Sequence, residues 1–236
     1  MKASDRVCIA LDFPRGAEAV AMAHRLAGRA GWMKVGLEVF VAEGPGLVEK
    51  IAATGARVFL DLKFHDIPAT VAGAVASAAR SGAAMVNVHA SGGRAMLEAA
   101  RKGADAAGLP KLIAVTLLTS LDLAALADLP MSGHPEGIAR RLALLAKECG
   151  LDGVVGAASD LTAIRGACGP DFLTVVPGIR PAGADVQDQK RIATPASAIA
   201  AGADVLVVGR PVTGAADPPA ALERILGEVE SAAARR

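Results

Sequence analysis

The 236-residue sequence predicts an α/β protein folded as a single (β/α)8 TIM barrel over residues 1–236. Three observations predict it. Short β-like runs alternate with Ala-rich amphipathic stretches, the pattern of right-handed βαβ units around a parallel sheet. Eight such units fit within the length, as a closed barrel requires. No linker, low-complexity tail or shift of composition divides the chain. A doubly wound open sheet is the runner-up, but no Gly-x-Gly-x-x-Gly turn follows the first strand.

In order, the expected strands are Val7–Leu11, Met33–Leu37, Arg57–Leu62, Met85–His89, Leu112–Leu117, Gly153–Gly156, Leu173–Val176 and Val205–Val208. Helical patterns between them include Ala17–Ala27, Val71–Ala79, Gly137–Cys149 and Ala220–Glu230. In the last, Leu222, Ile225, Leu226 and Val229 form one apolar stripe at helical spacing. Thr194-Pro195 and Asp217-Pro218 read as helix starts, with proline in the first turn. Gly55, Gly82, Gly150 and Gly202 follow helical patterns and precede strands, as helix-terminating glycines should.

Composition narrows the function classes. Hydrophobic residues make up 53%, enough for a sizeable core, and 25 basic residues nearly balance 24 acidic ones. Without a basic block or aromatic-basic interleaving, a nucleic-acid surface is not expected. No apolar run reaches membrane-spanning length. Val7–Leu11 is too short for a secretory signal and ends at Asp12. Cys8, Cys149 and Cys168 are scattered, odd in number and lack metal-ligand spacing, which suits a reducing compartment. A cytoplasmic protein is expected.

The run Phe59-Leu60-Asp61-Leu62-Lys63-Phe64-His65-Asp66-Ile67 sets charges inside a strand that otherwise reads as buried. Period-two alternation puts Asp61 and Lys63 on one face, with Leu60 and Leu62 on the other. Burying a charge is costly unless it is paired. The two therefore neutralise each other structurally, or they are held ready for a substrate. The neighbouring strands repeat the arrangement. Val7, Ile9 and Leu11 oppose Cys8, Ala10 and Asp12, while Met33, Val35 and Leu37 oppose Lys34, Gly36 and Glu38. If the bulky aliphatic face meets the helices, three strands aim Asp12, Lys34, Asp61 and Lys63 at one centre. Asp12, Asp61, Lys63, His89 and Thr119 all fall at or beyond C-terminal strand ends, where active sites of this fold lie.

A second constellation follows the seventh strand: Pro177-Gly178-Ile179-Arg180-Pro181, then Gln189 in a polar loop. The eighth strand ends in Gly209-Arg210-Pro211. Loops after these two strands often bind phosphate, with Gly209 allowing close backbone approach and Arg210 a bidentate grip. The bland alternative is a tight turn with a solvated arginine. His24 and His134 read as solvated. His65 either orients a carboxylate or packs, and His89 reads as a supporting residue at the barrel mouth. No metal-ligand spacing or nucleophile motif occurs.

Asp61-Leu62-Lys63-Phe64-His65-Asp66-Ile67-Pro68-Ala69-Thr70 closely resembles the signature of the bacterial orotidine 5′-phosphate decarboxylases. Further matches are Ala10-Leu11-Asp12, Lys34-Val35-Gly36, Val86-Asn87-Val88-His89-Ala90-Ser91-Gly92-Gly93, Leu118-Thr119-Ser120, Pro177-Gly178-Ile179-Arg180-Pro181 and Gly209-Arg210-Pro211-Val212. The resemblance runs in order along nearly the whole chain. It implies cofactor-independent conversion of orotidine 5′-phosphate to UMP, with no metal. Carried over, Lys63 protonates C6, Asp61 sits against the substrate carboxylate, and Lys34 and Asp66 complete a Lys-Asp-Lys-Asp array. Asp66 and Thr70 reach the partner's site in a homodimer. Asp12 and Lys34 hold ribose hydroxyls, Thr119 meets the pyrimidine, Arg180, Gln189, Gly209 and Arg210 bind phosphate, and Pro177 is a further substrate-binding residue.

Three rivals stay open. Related sugar-phosphate decarboxylases and synthases share Asp-x-Lys-x-x-Asp but use magnesium, with a Glu where this sequence has Lys34. An aldolase would use Lys63 as a Schiff base. A nucleotide-binding subunit would bind UMP without turnover.

Overall fold

The computed structural model describes residues 2–109, 111–181 and 191–235. Eight parallel strands close into a barrel in sequence order. They are β1 (Val7–Ala10), β2 (Trp32–Gly36), β3 (Arg57–Phe64), β4 (Met85–His89), β5 (Lys111–Val115), β6 (Gly153–Val155), β7 (Leu173–Val176) and β8 (Val205–Val208). β8 returns to β1 through Val7–Leu206 and Ile9–Val208, which removes the sheet edge.

Strand interiors match the expected runs, and the ends differ for local reasons. β2 begins one residue earlier than expected because Trp32 pairs with both Cys8 and Arg57. It stops at Gly36 because Leu37 opens helix Leu37–Glu43. β5 begins at Lys111, which pairs with Met85. β3 runs on to Phe64 through an irregularity: Leu60 pairs with Val86 and Phe64 with Val88. Four residues of β3 thus advance against two of β4, a bulge of the kind that re-aims side chains near sites.

Helix ends follow the expected chemistry. Helix Pro195–Ala201 opens on a reciprocal Thr194–Ser197 capping box. Helix Pro218–Ala233 opens on Asp217, whose carboxylate accepts from the Ala220 N–H. Gly55, Gly82, Gly150 and Gly202 all have positive φ, the conformation that ends a helix without a Cβ penalty.

The strand faces divide the interior in two. Val7, Ile9, Leu11, Met33, Val35, Val58, Leu60, Val86 and Val88 join the helices in the outer core. Cys8, Ala10, Trp32, Phe59, Met85, Ile113, Val175, Val205 and Val207 form a separate apolar plug inside the barrel. No helix among the described residues is long and apolar enough to cross a membrane.

Candidate active site

Above the plug the inward positions become polar. On β3, Phe59 is followed by Asp61 and Lys63; on β2, Trp32 by Lys34; on β4, Met85 by Asn87. Lys34 Nζ lies 2.9 Å from Asp12 Oδ1 and 3.4 Å from Asp61 Oδ2. Lys63 Nζ lies 2.7 Å from Asp61 Oδ1. Within one chain the alternating array is therefore Asp12–Lys34–Asp61–Lys63.

Lys34 and Asp61 are 7% and 9% exposed, so each carries a desolvation cost that only its neighbours can offset. Burial alone would raise the Asp61 pKa. The ammonium groups of Lys34 and Lys63, with hydrogen bonds from Lys63 and Asn87, outweigh it and hold the carboxyl below its ordinary value. Burial alone would lower Lys34, yet Asp61 and Asp12 hold it above its ordinary value. Both groups are thereby kept charged.

The bulge delivers Lys63 to this array. Among the described residues Lys63 is the one non-glycine with positive φ, at 52°. Its backbone N–H, turned out of the ladder, donates to Asn87 Oδ1 at 2.8 Å. Asn87 Nδ2 in turn donates to Asp61 Oδ1 at 2.6 Å. Asn87 is fully buried and clamps both residues, a role the sequence reading did not assign. The signal was available, since Asn87 alternates with Val86 and Val88 and so must face inward. Gly36 is a second such residue. A Cβ there would lie 2.6 Å from Asp12 Oδ1 and 2.8 Å from Lys34 Nζ, so only glycine leaves room for that pair.

The array lines a cavity of about 580 Å³ with Thr119, Ser120, Pro177, Gly178, Arg180, Gly209, Arg210 and Thr213. Arg180 is buried and donates from Nη1 to the Ile179 carbonyl at 3.0 Å. Gly209 precedes the short helix Arg210–Thr213. Gln189 lies outside the described residues. His89 stacks on His65 with ring centroids 5.5 Å apart. Burial, then His65 and Lys63, lowers the His89 pKa and keeps its ring neutral. Asp66 and Thr70 stand apart from the array on an exposed segment, residues 65–70. Asp66 accepts from the Ile67 N–H at 2.6 Å and makes no ion pair among the described residues.

Fold and site together define a (β/α)8 barrel whose mouth holds a cavity lined by alternating ammonium and carboxylate groups. A model of the orotidine 5′-phosphate decarboxylase / HUMPS family matches residues 5–225. Orotidine 5′-phosphate decarboxylase of Anaeromyxobacter sp. (strain K) is 53% identical over 225 residues, covering 95% of this chain and 98% of that one. The Moorella thermoacetica enzyme of the same name is 51% identical over 237 residues, covering 98% and 94%. The crystal structure of orotidine 5′-phosphate decarboxylase from Lactobacillus acidophilus superposes with a TM-score of 0.84 at 36% identity, covering 94% of this chain and 98% of that one. The chain belongs to the orotidine 5′-phosphate decarboxylase / HUMPS family.

Proposed function

We propose that this chain, a single catalytic domain, decarboxylates orotidine 5′-phosphate to UMP and carbon dioxide without metal or organic cofactor. This is the last step of de novo pyrimidine nucleotide synthesis. The observation that carries the reading is the Asp12–Lys34–Asp61–Lys63 chain of charges lining the cavity. It occurs in a sequence about half identical to enzymes named for this reaction.

The chemistry needs a cation fixed beside one ring carbon. As the bond from C6 to the carboxylate carbon breaks, its electron pair stays on C6 in a ring that delocalises it poorly. The Lys63 ammonium, already held by Asp61, stabilises that charge without solvent reorganisation. It then delivers a proton to C6, leaving a neutral amine that is reprotonated from solvent. Asp61 sits against the departing carboxylate. Asp12 and Lys34 hold the ribose hydroxyls, and Thr119 meets the pyrimidine. Arg180, Gln189, Gly209 and Arg210 receive the phosphate, whose remote binding energy supports positioning at the reacting carbon, and Pro177 adds a further contact with the substrate.

The enzyme works as a homodimer in which Asp66 and Thr70 enter the partner's site and Asp66 completes the charge array there. What supports this is the exposed 65–70 segment, on which Ile67 is 66% exposed beside an Asp66 that has no ion pair among the described residues. The buried free thiols of Cys8, Cys149 and Cys168 suit a cytoplasmic setting.

A magnesium-dependent sugar-phosphate reaction is disfavoured by Lys34, whose ammonium already bridges the two carboxylates a divalent ion would need. The deciding assay follows the absorbance of orotidine 5′-phosphate with purified protein, with and without EDTA. EDTA-insensitive loss of absorbance with UMP as product is expected. No turnover, or turnover abolished by EDTA and restored by magnesium, would overturn the reading.

A further inference from the structure

The geometry points to Arg191 as a positioning residue that fixes the base-facing wall of the cavity relative to its phosphate end, an inference that rests on the reading of the site as a pyrimidine-nucleotide site. Arg191 lies in none of the segments that carry the family resemblance, yet it joins three successive loops at the mouth. Its Nη1 donates to both carboxylate oxygens of Asp160, at 2.9 and 2.7 Å. Asp160 follows β6 and is 1% exposed, with Ser159 Oγ as a further donor at 3.2 Å. From Nη2, Arg191 donates to the Leu118 carbonyl at 3.2 Å, with the Leu117 carbonyl at 3.5 Å. Those carbonyls immediately precede Thr119 and Ser120, which line the cavity.

The backbone beside Arg191 is tied to the opposite wall. Ala193 accepts from the Arg180 N–H at 2.9 Å and donates to the Gly178 carbonyl at 3.3 Å. One short segment therefore holds Gly178 and Arg180 through its backbone and Leu118 through the Arg191 side chain. The separation between the two ends of the cavity follows from that link. Only a guanidinium fits the task. Its rigid fork can meet a carboxylate with one nitrogen and a carbonyl with the other. A lysine ammonium could neutralise Asp160 but could not hold both partners in that geometry.

The test uses Arg191→Lys, which keeps a counter-charge for buried Asp160. Removing the charge outright would strand that carboxylate and measure folding instead. The double variant Asp160→Asn/Arg191→Gln, which removes both charges, gives an independent second measurement. Binding of UMP and of ribose 5-phosphate is measured by calorimetry, together with thermal unfolding. A misplaced wall costs contacts with the base and spares the phosphate, so both variants should bind UMP about 10- to 100-fold more weakly. Ribose 5-phosphate affinity should stay within about threefold of the parent, because the Ala193 backbone bonds that hold Gly178 and Arg180 do not involve the Arg191 side chain. Equal weakening of both ligands, or no weakening of either alongside a lowered melting temperature, would show a merely structural role and overturn the inference. If the parent protein fails to turn over orotidine 5′-phosphate, the underlying reading falls first and the inference with it.

Discussion

The interior of this barrel is two regions stacked along the same strands. In the floor, Cys8, Trp32, Phe59, Met85, Ile113, Val175, Val205 and Val207 pack against one another with no charge among them. Burial pushes the Cys8 thiol well above its ordinary value, which makes it a packing group and no nucleophile. Two residues further along β2 and β3, the inward side chains are Lys34 and Asp61, and the next inward residue of β3 is Lys63. The floor is favourable on its own, because each apolar group gains by leaving water. The mouth is favourable only as a set, because each buried charge depends on its neighbours. The floor is thus a packing region, and the mouth holds the groups proposed to carry the chemistry.

The sharpest way to break this division is to remove chemistry from the mouth while leaving the floor alone. Lys63→Ala should lower turnover by about 10⁴-fold or more, the combined scale of a lost general acid and a lost preorganised charge. UMP binding and cooperative unfolding should persist. A variant that turns over near the parent rate would show that Lys63 is not the proton donor. The converse experiment is Met85→Ala, in the floor and fully buried. It should cost about 2–5 kcal/mol in urea unfolding, the usual range for truncating a buried large side chain. Activity per folded molecule should stay within about threefold, since independent sites behave additively. A much larger loss of activity would mean that floor and mouth are coupled.

Much of this division can be read from the sequence, because the period-two alternation of a strand states which side chains go inward. From the order of residues alone, that one rule aims Asp12, Lys34, Asp61 and Lys63 from three neighbouring strands, or just past their ends, towards one centre. It reaches Asn87 as well, although a lone amide between two valines carries no chemical alarm. It does not reach the bulge, where four residues of β3 pass two of β4 and Lys63 takes a positive φ. Nothing local in Leu62-Lys63-Phe64 announces that conformation, which is imposed by the ladder with β4 and the Asn87 clamp. The Asp160–Arg191 pair spans 31 positions, and no periodicity connects its members. Asp66 is harder still, because its proposed destination lies in another chain.

An intermediate test concerns the fit of the set itself. Gly36→Ala would put a methyl group 2.6 Å from Asp12 Oδ1 and 2.8 Å from Lys34 Nζ. Asp12 is half-exposed and can swing away, whereas Lys34 is buried, so the ion pair should separate while the fold survives. Loss of that contact should lower kcat/KM by about 10- to 100-fold, equivalent to about 1.4–2.7 kcal/mol of transition-state stabilisation. Thermal unfolding should move far less than for Met85→Ala. Unchanged kinetics would mean that the Asp12–Lys34 contact is dispensable.

The smallest effect lies in the backbone of the mouth. Lys63 at φ 52° is in the left-handed region, which costs an L-residue roughly 1–2 kcal/mol and glycine almost nothing. Lys63→Ala and Lys63→Gly both lack the ammonium, so both should be inactive and any difference between them reports the backbone alone. In an ordinary strand the glycine variant would be the less stable of the two, because glycine loses more freedom on folding. Here the order should invert, with Lys63→Gly more stable by about 1 kcal/mol, or roughly 2–4 °C in melting temperature for a chain of this size. The alanine variant proving the more stable would mean that the turn at residue 63 carries no strain. The mouth would then differ from the floor in charge alone, and Lys63 would reach Asp61 without backbone cost.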